Sequence, residues 1–368
     1  MKSKSILFLG TGKNQIPFLK AAREMGYYVI GIDRDEGSCG NCYCDETLLE
    51  SIKAEEKIYK KYNSYSVIGI LSEQTDNGSK SVAYLNNKFN LCGLTLEQIK
   101  IIEDKYCQRK FLTSINTLQP RYSLARKLDL TNKVDQLQIV KPRSGQSSIG
   151  VHFYQNNEKL LPNHLYEEYV DGTDYSIDGY VSDGIHFTAW CEKLKYKDSF
   201  VDKMSFAQPS PPSSVKDLVR NILEGIRAKD VFFHIEFRKK DELYYLIEIH
   251  LRGGGSGLCT HIASYVSDLD TPKLRIKMMT CRVSKQTVSF LKDRRACTVF
   301  GNMLELKSLK KKLINKFNIC TGMQVLNLIK NDKLDDGRDR EGCIFVYYNE
   351  DQERIIKNYL IKNVNFSI

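Results

Sequence analysis

No apolar run in the 368 residues approaches the roughly 20 needed to cross a bilayer, so no membrane span is expected. No cleavable leader is expected either. Met1-Lys2-Ser3-Lys4-Ser5 and the apolar residues 6–9 imitate one, but the stretch is short and runs straight into Gly10-Thr11-Gly12-Lys13-Asn14. There is no internal repeat, no phosphate-binding GxxxxGK(S/T) loop and no zinc-finger pattern. With 42% hydrophobic residues and plentiful tyrosine and phenylalanine, the chain reads as folded, soluble and cytoplasmic, with no membrane partner.

Eleven cysteines are scattered without an export signal, which predicts reduced, mostly buried thiols. Cys39, Cys42 and Cys44 cluster in GSCGNCYCD, but a metal site there needs a fourth ligand and no second CxxC exists. A plain cysteine-rich loop is the favoured reading. Of the net charge of +10, an excess of seven lies beyond residue 280, where 17 Lys and Arg face 10 Asp and Glu. Lys310-Lys311-Lys312 is the densest run. No aromatic-interleaved motif accompanies it, so it reads as a solvated helix face, and no nucleic-acid partner is expected.

The first 35 residues have a βαβ rhythm: a strand at 6–9, a glycine turn, a helix at about 15–25 and a strand at 28–32 ending at Asp33. Gly10-x-Gly12 falls short of GxGxxG, so a dinucleotide site is not favoured. A helix at 46–62, a strand at 67–71, a helix at 78–88 and a short strand before Gly93 complete an open α/β domain. Further on come a strand at 137–141, a Gly/Ser loop at 143–150 and a return strand at 151–154. LYEEYV and YSIDGYV follow, separated by an Asp171-Gly172 turn. QPSPPSS at 208–214 breaks regular structure before a helix at 215–228. Residues 281–368 mix strands, a lysine-rich helix near 307–317, a DDGRDREG turn at 335–342 and a terminal helix.

The chemistry concentrates in the hairpin FHIEFRKKDELYYLIEIHLRGGG. Strand alternation points Glu248, His250 and Arg252 the same way, and Glu236 approaches Glu248 across the ladder. Two carboxylates in an otherwise apolar hairpin repel unless a cation lies between them, and magnesium suits such donors. Arg252, followed by three glycines, is placed to grip a phosphoryl or acyl-phosphate oxygen. The bland alternative is a strand whose charges face water, which leaves the glycine run unexplained. Lys141 ends a strand and opens KPRSGQSSIGV, where a lysine and exposed amides can hold phosphates. Lys105 is a weaker phosphate candidate, because an isolated helix lysine is usually solvated.

In their order and spacing, these segments resemble the ATP-grasp superfamily, in particular the carboxylate–amine ligases and carboxylases built like the carbamoyl-phosphate synthetase large chain. The resemblance spans roughly residues 5–270: the N-terminal βαβ, Asp104-Lys105, KPRSGQSSIGV, YEEYVDGTDYSIDGYV, HIEF and EIHLRGGG. It implies a Rossmann-like domain (1–110), a two-lobed α+β ATP-grasp domain (111–280, lobes meeting at about 168/169) and a small C-terminal α+β module (281–368). By matched positions it implies Lys105 and Lys141 on ATP phosphates under a loop with Ser147, Ser148 and Gly150. It further implies Glu167, Glu168, Tyr169 and Val170 around the adenine, and Asp174 near the ribose. Glu236 and Glu248 become ligands of magnesium, with manganese as an alternative, and Arg252 becomes the stabiliser of an acyl phosphate. His250 stands where the family usually has Asn and joins Glu236 and Glu248 in the implied metal site. The implied activity is ATP-dependent amide formation from small-molecule carboxylate and amine substrates. Bicarbonate-phosphorylating carboxylation and a non-catalytic ATP-binding module are the alternatives, and a homodimer is compatible with all three.

Overall fold

The computed structural model describes residues 3–124, 137–155, 159–197, 199–280, 290–326 and 340–364. The N-terminal sheet is parallel: β1 (Lys4–Leu9), β2 (Tyr28–Asp33), β3 (Glu46–Leu49) and β4 (Ser66–Leu71), in the order β3-β2-β1-β4. Ile6 to Leu9 are all buried, as expected of a parallel strand covered on both faces. Because β1 lies between β2 and β4, the loops after β1 and β4 meet at a switch point, where α/β sheets bind ligands. They are stitched together there. Ser72 Oγ donates to Leu9 O (2.8 Å), and Glu73 N donates to Gln15 Oε1 (3.1 Å).

Two local expectations for this domain are corrected. Residues 46–49 are an edge strand paired with β2, and only Glu55–Tyr62 is helical. No strand precedes Gly93; Asn90, in the left-handed region, caps the helix Ser79–Phe89 and the chain turns directly into the helix Leu96–Ile102.

The second sheet is small and antiparallel: β5 (Tyr122–Leu124), β6 (Gln138–Pro142), β7 (His152–Phe153) and β8 (His164–Glu168), in the order β5-β8-β6-β7. The third has eight strands. It holds β9 (Thr173–Val181), β10 (Ile185–Lys195), β11 (Asp202–Ala207), β12 (Val231–Lys240), β13 (Leu243–His250), β14 (Arg294–Gly301), β15 (Cys320–Val325) and β16 (Gly342–Asn349), ordered β13-β12-β9-β10-β11-β14-β16-β15. Asp171-Gly172 therefore does not close a hairpin; it carries the chain from one sheet to another. Long β10 and β11 were not anticipated as a pair. Behind the large sheet, Trp190 stacks on Tyr175 at 4.8 Å with an 8° interplanar angle.

The expected α/β class, with a Rossmann-like N-terminal domain, a two-lobed middle and a C-terminal α+β part, is met. The DDGRDREG turn falls mostly on residues 335–339, outside the described residues. No helix among the described residues is long and apolar enough to cross a membrane. The described cysteines are free thiols, but only Cys191, Cys259, Cys297 and Cys343 are buried, so the expectation of mostly buried thiols is not met.

Candidate active site

The β12–β13 register places Glu236 opposite Glu248 and His234 opposite His250, with a bulge immediately after the glutamates. Alternation sends Phe233, Ile235, Phe237 and Ile249 into the core and both carboxylates into a cleft. The repulsion expected of the two acids is relieved by lysines from other elements. Lys193 Nζ lies 2.5 Å from Glu236 Oε1, and Lys105 Nζ lies 2.9 Å from Glu248 Oε1. Burial opposes ionisation of Glu236 most strongly, but Lys193 and His234 outweigh it and hold the carboxyl well below its ordinary range. For Glu248 the same burial is outweighed chiefly by Lys105 and His250.

Strand β10 supplies a second cation on the same face. Lys195 reaches Asp174 (3.0 Å) and Asp202 (3.1 Å), while Arg238 binds Asp174 with two nitrogens at 2.5 and 2.9 Å. On the small sheet, Lys141 Nζ stands 2.7 Å from Glu167 Oε2, and Glu167 Oε1 takes Arg109 Nε at 2.6 Å. Burial pushes Lys141 down to about 8, against the upward pull of Glu167 and with Arg109 adding to the depression.

Lys105 opens the helix Lys105–Ser114, whose cap is the Asp104 side chain, itself paired with Arg143. It is thus fixed, and it also donates to Gly145 O at 2.9 Å. The loop it touches is contorted: Gly145, Ser147, Ser148 and Gly150 all have positive φ. Ser148 Oγ donates to Phe200 O (3.1 Å), and Gln146 Oε1 accepts from Asp76 N (3.1 Å). The loop is therefore tied to the large sheet's β10–β11 connection and to the loop after β4.

At the far end, Arg252 sends Nε and one terminal nitrogen to the two oxygens of Asp76, both at 2.9 Å. Its other terminal nitrogen donates to Gly253 O (3.1 Å). His250 Nδ1 lies 3.1 Å from the same Asp76, and its Nε2 is 3.6 Å from Glu248 Oε1. Burial disfavours the Asp76 anion most, yet Arg252 and His250 hold its carboxyl well below the usual range. The glycine run behind is clamped by two buried acids. Gly253 N donates to Glu73 Oε2 (2.8 Å), and Gly254 N donates to Asp178 Oδ1 (2.6 Å). Asp178 also holds His234 Nδ1 (2.9 Å), whose Nε2 faces Glu236 (3.2 Å). A Cβ on Gly254 would lie 2.6 Å from Asp178 Oδ1, and one on Gly253 2.5 Å from Cys259 Sγ. The two glycines thus serve packing, and their amides are already used.

The cleft encloses about 370 Å³, within the range of small-molecule sites. Lys105, Lys141, Ser147, Ser148, Glu167, Glu168, Val170, Asp174, Glu236, Glu248, His250 and Arg252 all line it. Gly150 and Tyr169 are not among its lining residues: Gly150 sits by the Pro142 ring, and Tyr169 lies under the Arg238 guanidinium at 5.1 Å. The Glu167 carboxylate is taken up by Lys141 and Arg109, and Glu168 by Arg121. Among the described residues, no three His, Cys, Asp or Glu side chains form a ready-made metal cage.

Sequence reasoning missed Lys193, Lys195 and Asp202, although Lys193-x-Lys195 at the end of an alternating strand was a usable signal. It also missed Asp76, despite its place after the last strand of a parallel sheet. Nothing in the local sequence marked Arg109, Asp178 or Glu73.

Residues 160–260 match the family model for the ATP-grasp domain. No curated protein sequence matches the chain. Solved structures align with it end to end. The N5-carboxyaminoimidazole synthetase of Staphylococcus aureus is 17% identical with a TM-score of 0.77, covering 99% of this chain and 98% of that one. The L-amino acid ligase of Bacillus licheniformis is 15% identical over the same shares (TM-score 0.76). The phosphoribosylglycinamide synthetase of Anaerococcus prevotii is 17% identical, with 99% of each chain covered (TM-score 0.71). The resemblance read from the motifs therefore holds over residues 160–260, which match the ATP-grasp family model, and from end to end the chain has the fold of these synthetases and this ligase.

Proposed function

We propose that this protein is an ATP-dependent carboxylate–amine ligase working through an acyl phosphate. The observation that carries the reading is the Glu236–Glu248 pair, facing each other across one ladder, each countered by a lysine, with Arg252 beyond them. A lysine bound to a carboxylate can be released to a phosphate, leaving the acid free for a metal ion. Lys105 on Glu248 is poised for that exchange, and Lys141 can turn to a phosphate while Arg109 keeps Glu167 paired. Ser147 and Ser148 would close over the phosphates, Glu168 and Val170 would border the base, and Asp174 the ribose.

The donor set fits a hard divalent cation. Glu236 and Glu248 would hold magnesium (or manganese) with His250 beside them, and the bound ion would neutralise phosphate charge. In the reaction, a substrate carboxylate oxygen takes the γ-phosphoryl group and ADP leaves. An amine nitrogen then attacks the carbonyl carbon, phosphate departs and the nitrogen loses a proton. The chain's own residues bind and orient, and no nucleophilic side chain is needed. Arg252 would steady the acyl phosphate.

A second reading, phosphorylation of bicarbonate, draws on the likeness to the N5-carboxyaminoimidazole synthetase. The test is a matrix of carboxylate and amine donors scored for ADP and phosphate release, with the product weighed by mass spectrometry. Amine-dependent turnover with an amide product supports the ligase. Bicarbonate-dependent turnover replaces it with the carboxylase. Nucleotide binding without turnover on any donor leaves a non-catalytic ATP-binding module.

A further inference from the structure

Two glutamates facing each other across a ladder can hold one metal ion between them or one ion each. The lysines already at the pair separate these cases, because they are held differently. Lys105 shares its ammonium between one acid, Glu248, and the carbonyl of Gly145, at 2.9 Å each. Turning to a phosphate breaks one ion pair. Lys193 lies between two acids, 2.5 Å from Glu236 Oε1 and 3.3 Å from Asp202 Oδ2, and its side chain is only 5% exposed. Withdrawing it strips both carboxylates of their counter-charge inside the cleft wall, which is strongly unfavourable.

No neighbour is free to replace it. Lys195, the next cation on the strand, already spends its three donors on Phe200 O (2.9 Å), Asp174 (3.0 Å) and Asp202 Oδ1 (3.1 Å). Glu236 is committed from its other side as well. The oxygen that takes Lys193 also faces His234 Nε2 (3.2 Å), and Asp178 fixes that ring through Nδ1 (2.9 Å). Glu236 therefore has one oxygen, Oε2, to offer a metal, and its charge is already balanced. Glu248 recovers a whole carboxylate once Lys105 leaves. That donor set suits one ion completed by nucleotide phosphates, in keeping with the lack of a ready-made cage among the described residues.

We propose that the cleft takes a single divalent ion per nucleotide, shared by Glu248 and Glu236 Oε2, and that the Lys193 ammonium occupies the place of a second. This deepens the ligase reading and rests on it only for the presence of metal and ATP in the cleft. Lys193 is then a positioning residue, a fixed charge holding Glu236 to a one-oxygen role. Lys193→Met keeps most of the stem and removes the charge, which leaves Glu236 and Asp202 as a pair of donors for a hard cation.

The experiment uses Mn2+ as the probe, with a non-hydrolysable ATP analogue and the full chain. Equilibrium dialysis counts ions per bound analogue, and electron paramagnetic resonance reports whether two ions lie close enough to couple. Wild type is expected to hold one uncoupled ion. Two ions, a coupled spectrum, or no nucleotide-dependent uptake overturns the proposal. In Lys193→Met the count should double and the spectrum should become that of a coupled pair. A folded Lys193→Met that stays at one ion also overturns it, and if that variant fails to fold the wild-type count decides. ADP release on carboxylate and amine donors is read separately. One ion without turnover on any donor keeps the role of Lys193 and removes the ligase reading, whereas two ions with amine-dependent turnover do the reverse.

Discussion

Lys141 has a charge state unusually close to neutrality for a lysine, because burial lowers it to about 8 where an ordinary lysine titrates near 10.5. Two consequences follow in opposite senses. Below about 8 the side chain is cationic and able to meet a phosphate, so nucleotide affinity of the free protein should fall as pH rises through about 8. Stability moves the other way. Between about 8 and 10.5 the unfolded chain still holds a proton that the folded one has released, so resistance to unfolding rises with pH across that window. Nucleotide titrations at pH 7 to 9 check the first, with Lys141→Arg expected to postpone the loss beyond that range. Glu248→Gln tests the metal pair. It should cut turnover by roughly 10²–10³-fold or more while thermal unfolding stays near wild type, since Lys105 keeps an oxygen partner there. Unchanged turnover would remove Glu248 from the site.

At the scale of elements, the β12–β13 hairpin and the glycine run behave as one rigid part. Gly254 is pinned between Asp178 and His234, and a methyl group there must displace one of them. Gly254→Ala should cost about 1–3 kcal/mol, the usual range for overpacking, read as a lower denaturant midpoint. Gly255, whose added Cβ would meet only Gln74 O at 3.7 Å, should tolerate the same change. The hairpin was legible in the sequence because its chemistry is written at period two: Glu236, Glu248, His250 and Arg252 could be placed on one face without a structure. Lys141 and its loop were legible for a similar local reason. The counter-ions were not. Lys193 reaches Glu236 from β10, two strands away in the sheet, and Asp76 reaches Arg252 from the first domain. Such contacts depend on strand order and domain docking, which no local pattern encodes. The edge strand Glu46–Leu49 was lost because four residues beside a helix are too few for periodicity to separate.

In the whole molecule, the eight-stranded sheet does not stop where the ATP-grasp lobe does. β11 pairs with β14 from Met204↔Val299 to Phe206↔Cys297, and the helix Met303–Phe317 then covers the sheet's extension. Removing residues 290–368 would bare the β11 edge and the apolar Met204 and Phe206, a combination that invites strand-to-strand aggregation. The truncated chain should be insoluble or show light scattering where the full chain does not; a soluble, nucleotide-binding fragment would mean the two parts fold independently. The Trp190–Tyr175 stack has a use of its own. Trp190 is the protein's single tryptophan, and Tyr175 lines the cleft in front of it. The molecule therefore carries its one tryptophan stacked on a residue of the binding wall, so ligand arrival can be timed by stopped-flow tryptophan emission, with no dye, label or added residue.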